Sequence, residues 1–237
     1  MHTNIQNRMI TLLVVLAAAL LPACNKSAEE VLTLLSETEA AEIVENSVSQ
    51  RSAGAAMPTV DMAQLLEDYL QNCGVPGDTT LQRGKTAGPV TYTYSCGLDW
   101  LVNCNQFNIP QDATVSTTGN GSFQTARWTG TDTASGSLTF TGLNPQAAAY
   151  IANGSYTLDG NVTGNLRKTD PTLDVNTTIT LTDLTIRKSD YQITGGTGAV
   201  VIVATNGRGR TETVNGALTF NSDGTVTVVV NGHTHTF

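Results

Sequence analysis

Runs of alternating apolar and polar residues dominate the chain from residue 79 to its C-terminus. VTYTYS at 90–95 and TVTVVV at 225–230 are clear examples. Successive side chains of a strand point to opposite faces, so this alternation is typical of a strand that buries one face. Turn signals separate the runs, among them Asn144-Pro145, Asp170-Pro171, Asp223-Gly224 and Asn231-Gly232. The pattern predicts a mainly β fold, either an antiparallel β-sandwich or a strongly curled β-sheet.

Three stretches allow more local predictions. GALTFNSDGTVTVVV at 216–230 predicts a hairpin with Asp223-Gly224 in its turn. In TITLTDLTI at 178–186 the apolar positions change face at Asp183, which predicts a β-bulge or a strong local twist there. VVIV at 200–203 is apolar on both faces and predicts a central strand covered on both sides, with helices as the second cover.

Two helices are predicted before the strands, because apolar residues recur there with a period near 3.6. The first is expected over 28–50, with Ser27 and Glu30 in the spacing of a capping box. The second is expected over 60–72, after a break at 51–59. The ordinary explanation of both apolar stripes is that they pack against the β domain.

The chain begins with an apolar run that is too short to span a bilayer. As a helix, the uncharged stretch 9–21 would reach about 20 Å, whereas a bilayer core is about 30 Å thick. This length is typical of the core of a signal peptide, and Ala23 supplies a small residue near the cleavage point. Cys24 then follows at once, either as an attachment point or, after an ordinary signal peptide, as half of a disulfide.

The stretch Leu21-Pro22-Ala23-Cys24 resembles the lipobox of bacterial lipoproteins, the mark of a type II signal peptide. The resemblance implies cleavage before Cys24, a thioether-linked lipid on its thiol and acylation of the freed amine. Asn25 after the cysteine resembles the pattern of outer-membrane lipoproteins, which implies a place in the cell envelope, on the periplasmic face or the cell surface. Together with segments such as EIVENSVSQRSAG, YTYSC, GSFQTARWTG and LTFNSDGTVTVVVNG, the chain resembles uncharacterised all-β envelope lipoproteins of the Bacteroidota.

These patterns predict three segments and a small set of partners. Residues 1–23 are expected to be the lipoprotein signal peptide, 24–78 the acylated tether with two helices, and 79–237 the all-β domain. The expected partners are the membrane, through the acyl chains, and a glycan or an envelope protein. The net charge of −8 argues against nucleic acid and against electrostatic adhesion to anionic lipid.

With Cys24 acylated, three cysteines remain, and an odd number in an oxidising compartment leaves one unpaired. We expect a Cys73–Cys96 disulfide that ties the second helix to the sheet. A Cys96–Cys104 disulfide across a local loop at 97–100 is the alternative. The cysteines lack the Cys-x₂-Cys spacing that is typical of a zinc site.

Two pairs of residues are weak candidates for a site. Asp99 and Trp100 could act on or bind a sugar, since a hydrolase needs two carboxylates and an indole can stack on a ring; the ordinary explanation of Trp100 is a half-buried core residue. His233 and His235 point to one face of a strand and could hold a metal with a third ligand, although an exposed final strand is the simpler explanation.

No catalytic motif is visible and no cofactor is expected. The leading hypothesis is therefore a membrane-anchored envelope lipoprotein with a non-catalytic β domain that binds or scaffolds. The alternatives are a polysaccharide hydrolase and a carrier of an apolar ligand inside the curled sheet.

Overall fold

Ten antiparallel strands form a single sheet in which each strand pairs with the next one along the chain. The structure is a computed structural model that describes residues 33–52, 54–87 and 90–237. Two helices precede the sheet, α1 (Glu37–Val48) and α2 (Ala56–Tyr69). The strands are β1 (Pro76–Ala87), β2 (Val90–Cys104), β3 (Pro110–Gln124), β4 (Trp128–Thr141), β5 (Ala149–Gly164), β6 (Thr172–Arg187), β7 (Ile193–Asn206), β8 (Thr211–Phe220), β9 (Val226–Val230) and β10 (His233–Thr236). The mainly β class with two preceding helices is confirmed.

Both helices begin at positions other than those predicted. Residues 33–36 are not helical, and α1 starts after Ser36, whose hydroxyl accepts from the Glu39 amide at 3.3 Å while the Glu39 carboxylate accepts from the Ser36 amide at 2.9 Å. The capping box is therefore Ser36 and Glu39; the predicted one at Ser27 and Glu30 lies outside the described residues. Helix α2 starts within the predicted break, because Pro58 sits in its first turn, where a missing N–H costs no helical hydrogen bond.

The core lies between the helices and the inner face of the sheet. Burial alternates along β2, where Tyr94, Cys96, Leu98 and Trp100 are buried while Asp99 is exposed. The apolar faces of the two helices join the inner side chains of the strands in one cluster. This confirms that the apolar stripes of the helices pack on the β region.

The helix pair touches both edges of the sheet, which requires the sheet to curl. Glu37 of α1 contacts His235 of β10 at 3.1 Å, and Asp61 of α2 contacts Arg83 of β1 at 3.3 Å. Laid flat, ten strands would span about 43 Å, more than two adjacent helices can bridge. The sheet therefore wraps around the helices, with β1 and β10 as its edges. The strongly curled sheet, and not the two-sheet sandwich, is the correct form of the predicted fold.

Two of the three local predictions are confirmed, and the third is confirmed in part: β7 is a central strand between β6 and β8, but it is not covered on both faces. The hairpin pairs β8 with β9, and the β6–β7 register shifts at the segment that contains Asp183, which has a φ of 51°. However, Val201 and Val203 lie half-buried on the outer face, since the helices cover only the inner face. The inner face of β7 is covered by the helices inside the curled sheet, whereas no element covers its outer face among the described residues.

The connections between strands divide the molecule into two ends. At one end lie the connections β1–β2, β3–β4, β5–β6 and β7–β8. Leu34 reaches this end, because its amide donates to the Glu212 carboxylate at the start of β8 and its carbonyl accepts from Arg167 Nη2 at 2.7 Å. We call it the Leu34 end. The opposite end holds the connections β2–β3, β4–β5, β6–β7 and β8–β9, and we call it the Phe107 end after the residue exposed there.

Candidate functional site

A disulfide fixes the most distinctive loop of the Phe107 end. Cys73, just after α2, is bonded to Cys104 at the end of β2, with 5.5 Å between their Cα atoms. Beside the disulfide, Cys73 pairs with Val102 in an isolated β-bridge. The Gly74 amide also donates a hydrogen bond of 2.8 Å to the Val102 carbonyl. The chain that leaves α2 is thereby attached to the base of the β2–β3 connection.

Both disulfide pairings expected from the sequence, Cys73–Cys96 and Cys96–Cys104, are wrong. The reason is that β2 runs without interruption through 97–100, where the sequence suggested a loop. Cys96 therefore lies about 26 Å along the strand from Cys104, too far for a bond. Cys96 instead remains a free, buried thiol. Burial raises the pKa of this thiol, which is typical of an unreactive core cysteine.

The β2–β3 connection, residues 105–109, is held by its own hydrogen bonds. The Asn105 side-chain oxygen accepts from the amides of Phe107 at 2.9 Å and Ile109 at 3.0 Å. The Asn105 amide donates to the Ile109 carbonyl at 2.9 Å. Within this closed loop the Phe107 side chain is 72% exposed, and Ile109 and Val75 beside it are exposed as well. We refer to residues 105–109 as the Phe107 loop.

Acidic side chains lie in the half of the sheet that carries this loop, although Asp99 is about 17 Å along β2 from Cys104. They are Asp112 at the start of β3, the facing pair Asp78 and Asp99, and Glu67 and Asp68 at the end of α2. Single exposed apolar residues are normal on a protein surface. A large aromatic side chain at the tip of a cross-linked, hydrogen-bonded loop is less usual, since the ring is exposed while the backbone that carries it is already held in place. The sequence gives a weak signal for it, the apolar residues of QFNIP directly after a cysteine.

Asp99 and Trp100 lie on opposite faces of β2, as neighbours on a strand must. The Trp100 ring is 4% exposed on the inner face, with its centroid 4.8 Å from that of Tyr69. It also covers the backbone at Gly77, where any side chain would collide with the indole. Trp100 is therefore a core residue and is not available to stack on a ligand that reaches Asp99.

Asp99 instead faces Asp78 across the β1–β2 pair on the outer face. Directly opposed residues have Cβ atoms about 4.5–5.5 Å apart. The two carboxylates border an open depression of about 440 Å³, which Ser116 and Ser137 of the next two strands also line. Asp99 was a candidate from the sequence, but Asp78 was not, because only the register of β1 and β2 places Asp78 opposite Asp99.

His233 and His235 both point at one carboxylate that the sequence did not associate with them. Glu37 Oε2 lies 3.4 Å from His233 Nε2, and Glu37 Oε1 lies 3.1 Å from His235 Nε2. Each imidazole thus faces a different oxygen, an arrangement of two side-by-side ion pairs when the rings are protonated. Among residues 33–52, 54–87 and 90–237, no group of three or more His, Cys, Asp or Glu side chains is arranged to hold a metal ion.

Polar side chains also connect the helices to the inner face. Asp61 of α2 accepts a hydrogen bond from the Tyr94 hydroxyl and forms an ion pair with Arg83. The pKa of Tyr94 is raised, mainly by desolvation and secondly by its hydrogen bond to Asp61. Beneath α1, Asp132 of β4 lies between Gly121 and Gly160 of the neighbouring strands, and desolvation raises the pKa of its carboxyl. These inward polar residues interrupt an otherwise apolar face, and the Asp61 contacts attach α2 to β1 and β2.

The spaces beside Asp132, between the helices and the sheet, are small, whereas an open space of about 260 Å³ lies between α1 and the strands at the Leu34 end. One beside the α1–α2 connection and one beneath α1 measure about 40 and 30 Å³, and both border Asp132. Each is large enough for one or a few water molecules and far below the roughly 300 Å³ of a ligand pocket. Neither helix of the described residues has the length and apolar character needed to cross a bilayer.

The outer face is rich in small polar side chains in aligned rows. One row crosses five strands through Asp99, Ser116, Ser137, Ser155 and Thr180. Neighbouring hydroxyls bond across strands, as in Thr93 with Ser122 at 2.8 Å. This face is therefore polar with few charges, and it curves with the sheet.

Comparison with known proteins yields no match: no family model, no curated protein and no solved structure resembles the chain closely enough to indicate a relationship. The site must therefore be interpreted from its own geometry. Cys24, the predicted lipidation site, lies outside the described residues, and the resemblance of its surroundings to a lipobox remains a prediction.

Proposed function

We propose that this chain is a cell-envelope lipoprotein, cleaved before Cys24 and acylated there, whose β domain binds a partner without catalysing a reaction. The proposal for the anchor rests on the apolar run 9–21 and on Leu21-Pro22-Ala23-Cys24. Three acyl chains would hold the protein firmly, since two membrane signals already suffice. The outer membrane is the proposed location.

The observation that supports binding is the Phe107 loop. A ligand-binding surface gains affinity when its aromatic contact is ordered before binding, because little conformational entropy is then lost. The Cys73–Cys104 disulfide and the Asn105 hydrogen bonds supply that order, and the Phe107 ring is free to enter a pocket. The acidic residues in this half of the sheet favour an envelope protein with an apolar pocket and a basic rim.

The binding proposal is tested with Phe107→Ala. Partners crosslinked in intact cells would be identified by mass spectrometry, and the purified partner would then be titrated against each variant. We expect a loss of about 30-fold in affinity, because buried aromatic contacts contribute at least about 2 kcal/mol. Val229→Ala, which truncates an exposed valine on the outer face, is the matched control and should bind normally. Equal affinities of the Phe107→Ala variant and the unaltered protein would rule out the loop as the binding site.

The anchor is tested separately by feeding cells labelled palmitate. The unaltered protein should carry label and Cys24→Ala should not. Label that persists in Cys24→Ala, or is absent from both, would contradict the anchor but would leave the role of the Phe107 loop open to its own test.

Polysaccharide hydrolysis is a second candidate, and the facing pair Asp78 and Asp99 is the observation that favours it. In retaining glycosidases the two carboxyl groups are about 5–5.5 Å apart, and direct cross-strand neighbours can meet at that distance. The depression of about 440 Å³ would have to accommodate the sugar. If Asp78→Asn and Asp99→Asn each abolish release of reducing ends from a polysaccharide, the chain is a hydrolase. If neither variant changes that release while Phe107→Ala weakens binding, it is a binding protein.

The small inner spaces make the apolar-ligand carrier the least supported of the three hypotheses.

A further inference from the structure

Six of the ten Lys and Arg side chains among the described residues lie at the Leu34 end. They lie in its connections or in the strand residues beside them: Lys85, Arg127, Arg167, Lys168, Arg208 and Arg210. Acids share the Leu34 end with these cations, namely Glu39, Glu42, Asp170 and Glu212. The Phe107 end in turn carries Arg187 and Lys188 as well as the acidic residues described above. What distinguishes the Leu34 end is therefore its exposed cations without an ion pair to a described residue, and not a net separation of charge.

Three of the six cations are partly neutralised by neighbouring acids. Arg127 pairs with Glu42 at 2.9 Å, Arg167 with Glu39 at 3.4 Å and Arg208 with Asp170 at 3.8 Å. The exposed Lys85, Lys168 and Arg210 form no ion pair among the described residues. These three charges are free to meet anions outside the protein.

An exposed leucine lies among the cations. Leu166, in the connection between β5 and β6, is 71% exposed and directly precedes Arg167 and Lys168. An apolar side chain flanked by basic ones is the composition of segments that rest in a membrane interface, where the apolar group enters the headgroup layer and the cations meet lipid phosphates.

The chain enters the domain at this same end. Leu34 is bonded there to Glu212 and Arg167. Between the proposed acylation site, Cys24, and Leu34 lie ten peptide steps, which span at most about 36 Å whatever their conformation. An acylated Cys24 would therefore keep the Leu34 end within that distance of the bilayer.

We infer that the Leu34 end is a membrane-docking surface, in which Lys85, Lys168 and Arg210 bind anionic phospholipid headgroups and Leu166 enters the interface. The inference rests on the proposed acyl anchor, and it directs the Phe107 loop away from the membrane, where a partner can reach it. It departs from the expectation that an acidic protein has no electrostatic attraction to anionic lipid, because the proposed attraction depends on which end faces the lipid.

The test compares two labels on the native protein, extracted from membranes in detergent and transferred to vesicles. Thr169→Cys places a fluorophore on the β5–β6 connection beside Lys168, and Gln106→Cys places it on the Phe107 loop; both positions are exposed, whereas Cys96 is buried. The quencher is a headgroup nitroxide lipid, in vesicles with or without phosphatidylglycerol. We expect strong quenching of the Thr169→Cys label only, stronger with phosphatidylglycerol and weaker in about 1 M NaCl, where the Debye length is about 3 Å.

Replacement of the free cations measures their part. Lys168→Ala and Arg210→Ala should each lower the ratio of docked to undocked protein about fivefold, and about 25-fold together. Unchanged thermal unfolding of the double variant would show that the domain is intact. Equal quenching of both labels would overturn the inference. It would also be overturned if quenching of the Thr169→Cys label did not change with phosphatidylglycerol, with salt or in the double variant. Binding of a soluble acidic polysaccharide to this end, while phosphatidylglycerol vesicles leave the label unquenched, would overturn it as well.

The two proposals fail in different ways. If the protein does not float with any vesicles, the acyl anchor is wrong. If it floats but its Leu34 end is no closer to the lipid than its Phe107 end, the anchor stands and the docking surface is wrong.

Discussion

The two ends of the sheet are ordered by different means. At the Phe107 end a covalent bond, Cys73–Cys104, fixes a loop with an exposed aromatic residue. At the Leu34 end no disulfide is present among the described residues, and ion pairs and hydrogen bonds from α1 to the strand connections fix the chain. In a curled sheet around two helices the core between the two ends already determines the fold. The residues that order each end can therefore differ without changing that fold.

Loss of the disulfide should have the largest effect on this comparison. In the chain-entropy model, a cross-link over a sequence separation of 31 contributes about 3–4 kcal/mol to the free energy of unfolding. Cys73→Ala combined with Cys104→Ala should lower that free energy by this amount in a denaturant titration. Cys96→Ala, which removes a thiol outside the disulfide, is the control and should cost less. A double variant as stable as the unaltered protein would show that the Phe107 end is ordered without its covalent bond.

The Leu34 end should respond to the loss of one carboxylate. Glu42 accepts from the buried Trp128 indole at 2.8 Å and pairs with Arg127. Glu42→Ala should destabilise the fold by about 1–3 kcal/mol, since it leaves a buried donor without a partner. Arg127→Ala removes only the half-exposed ion pair and should cost at most about 1 kcal/mol. Equal losses in the two variants would mean that the ion pair, and not the indole hydrogen bond, holds α1 at this end.

The two regions should also differ in the sign of their pH dependence. Desolvation raises the pKa of Asp132, so the folded chain binds this proton more readily than the unfolded chain. Its contribution to stability is therefore present at low pH and is lost as pH rises from the ordinary Asp pKa through the raised one. Asp132→Asn should remove this loss.

Asp223, in the β8–β9 turn of the Phe107 end, is the matched comparison. Hydrogen bonds from the Thr225 hydroxyl and amide lower its pKa, so its contribution is present above the ordinary Asp pKa and is lost as pH falls through the lowered one. Unfolding titrations of Asp132→Asn and Asp223→Asn across this acid range should show pH slopes that change in opposite directions. Slopes that change in the same direction would contradict the burial assigned to Asp132.

The smallest effect on stability is expected from the free cations of the Leu34 end. Lys168→Ala and Arg210→Ala remove exposed charges without described ion pairs, so each should change the free energy of unfolding by no more than about 0.5 kcal/mol. A larger loss in thermal or denaturant unfolding would place these side chains in the structure of that end and weaken their assignment to lipid.

The alternation of residues was sufficient to predict strands, buried faces and even the irregularity near Asp183. Period 2 is a local property, and a strand obeys it wherever it pairs. The start of α1 was also within reach, because Ser36 and Glu39 repeat the capping spacing that was assigned to Ser27 and Glu30. The capping box predicted at Ser27 and Glu30 lies outside the described residues and stays a prediction.

Long-range pairings could not be predicted in the same way. The disulfide partner of Cys73, the carboxylate opposite Asp99 and the acid beside His235 are all brought together by strand register or by the position of a helix inside the curl. The alternative disulfide, Cys96–Cys104, is wrong for a particular reason: a local loop was expected at 97–100, but the pairing of β2 with strands on both sides continues the strand through these residues. Tertiary context here overrides local propensity.

The most direct test of the account is the intact mass of the native protein extracted from membranes in detergent. We expect a chain that begins at Cys24 and carries a diacylglyceryl thioether and an acylated amino group, with the Cys73–Cys104 disulfide present. A chain that retains residues 1–23, or that begins with an unmodified amino terminus, would contradict the anchor and with it the orientation proposed for the two ends.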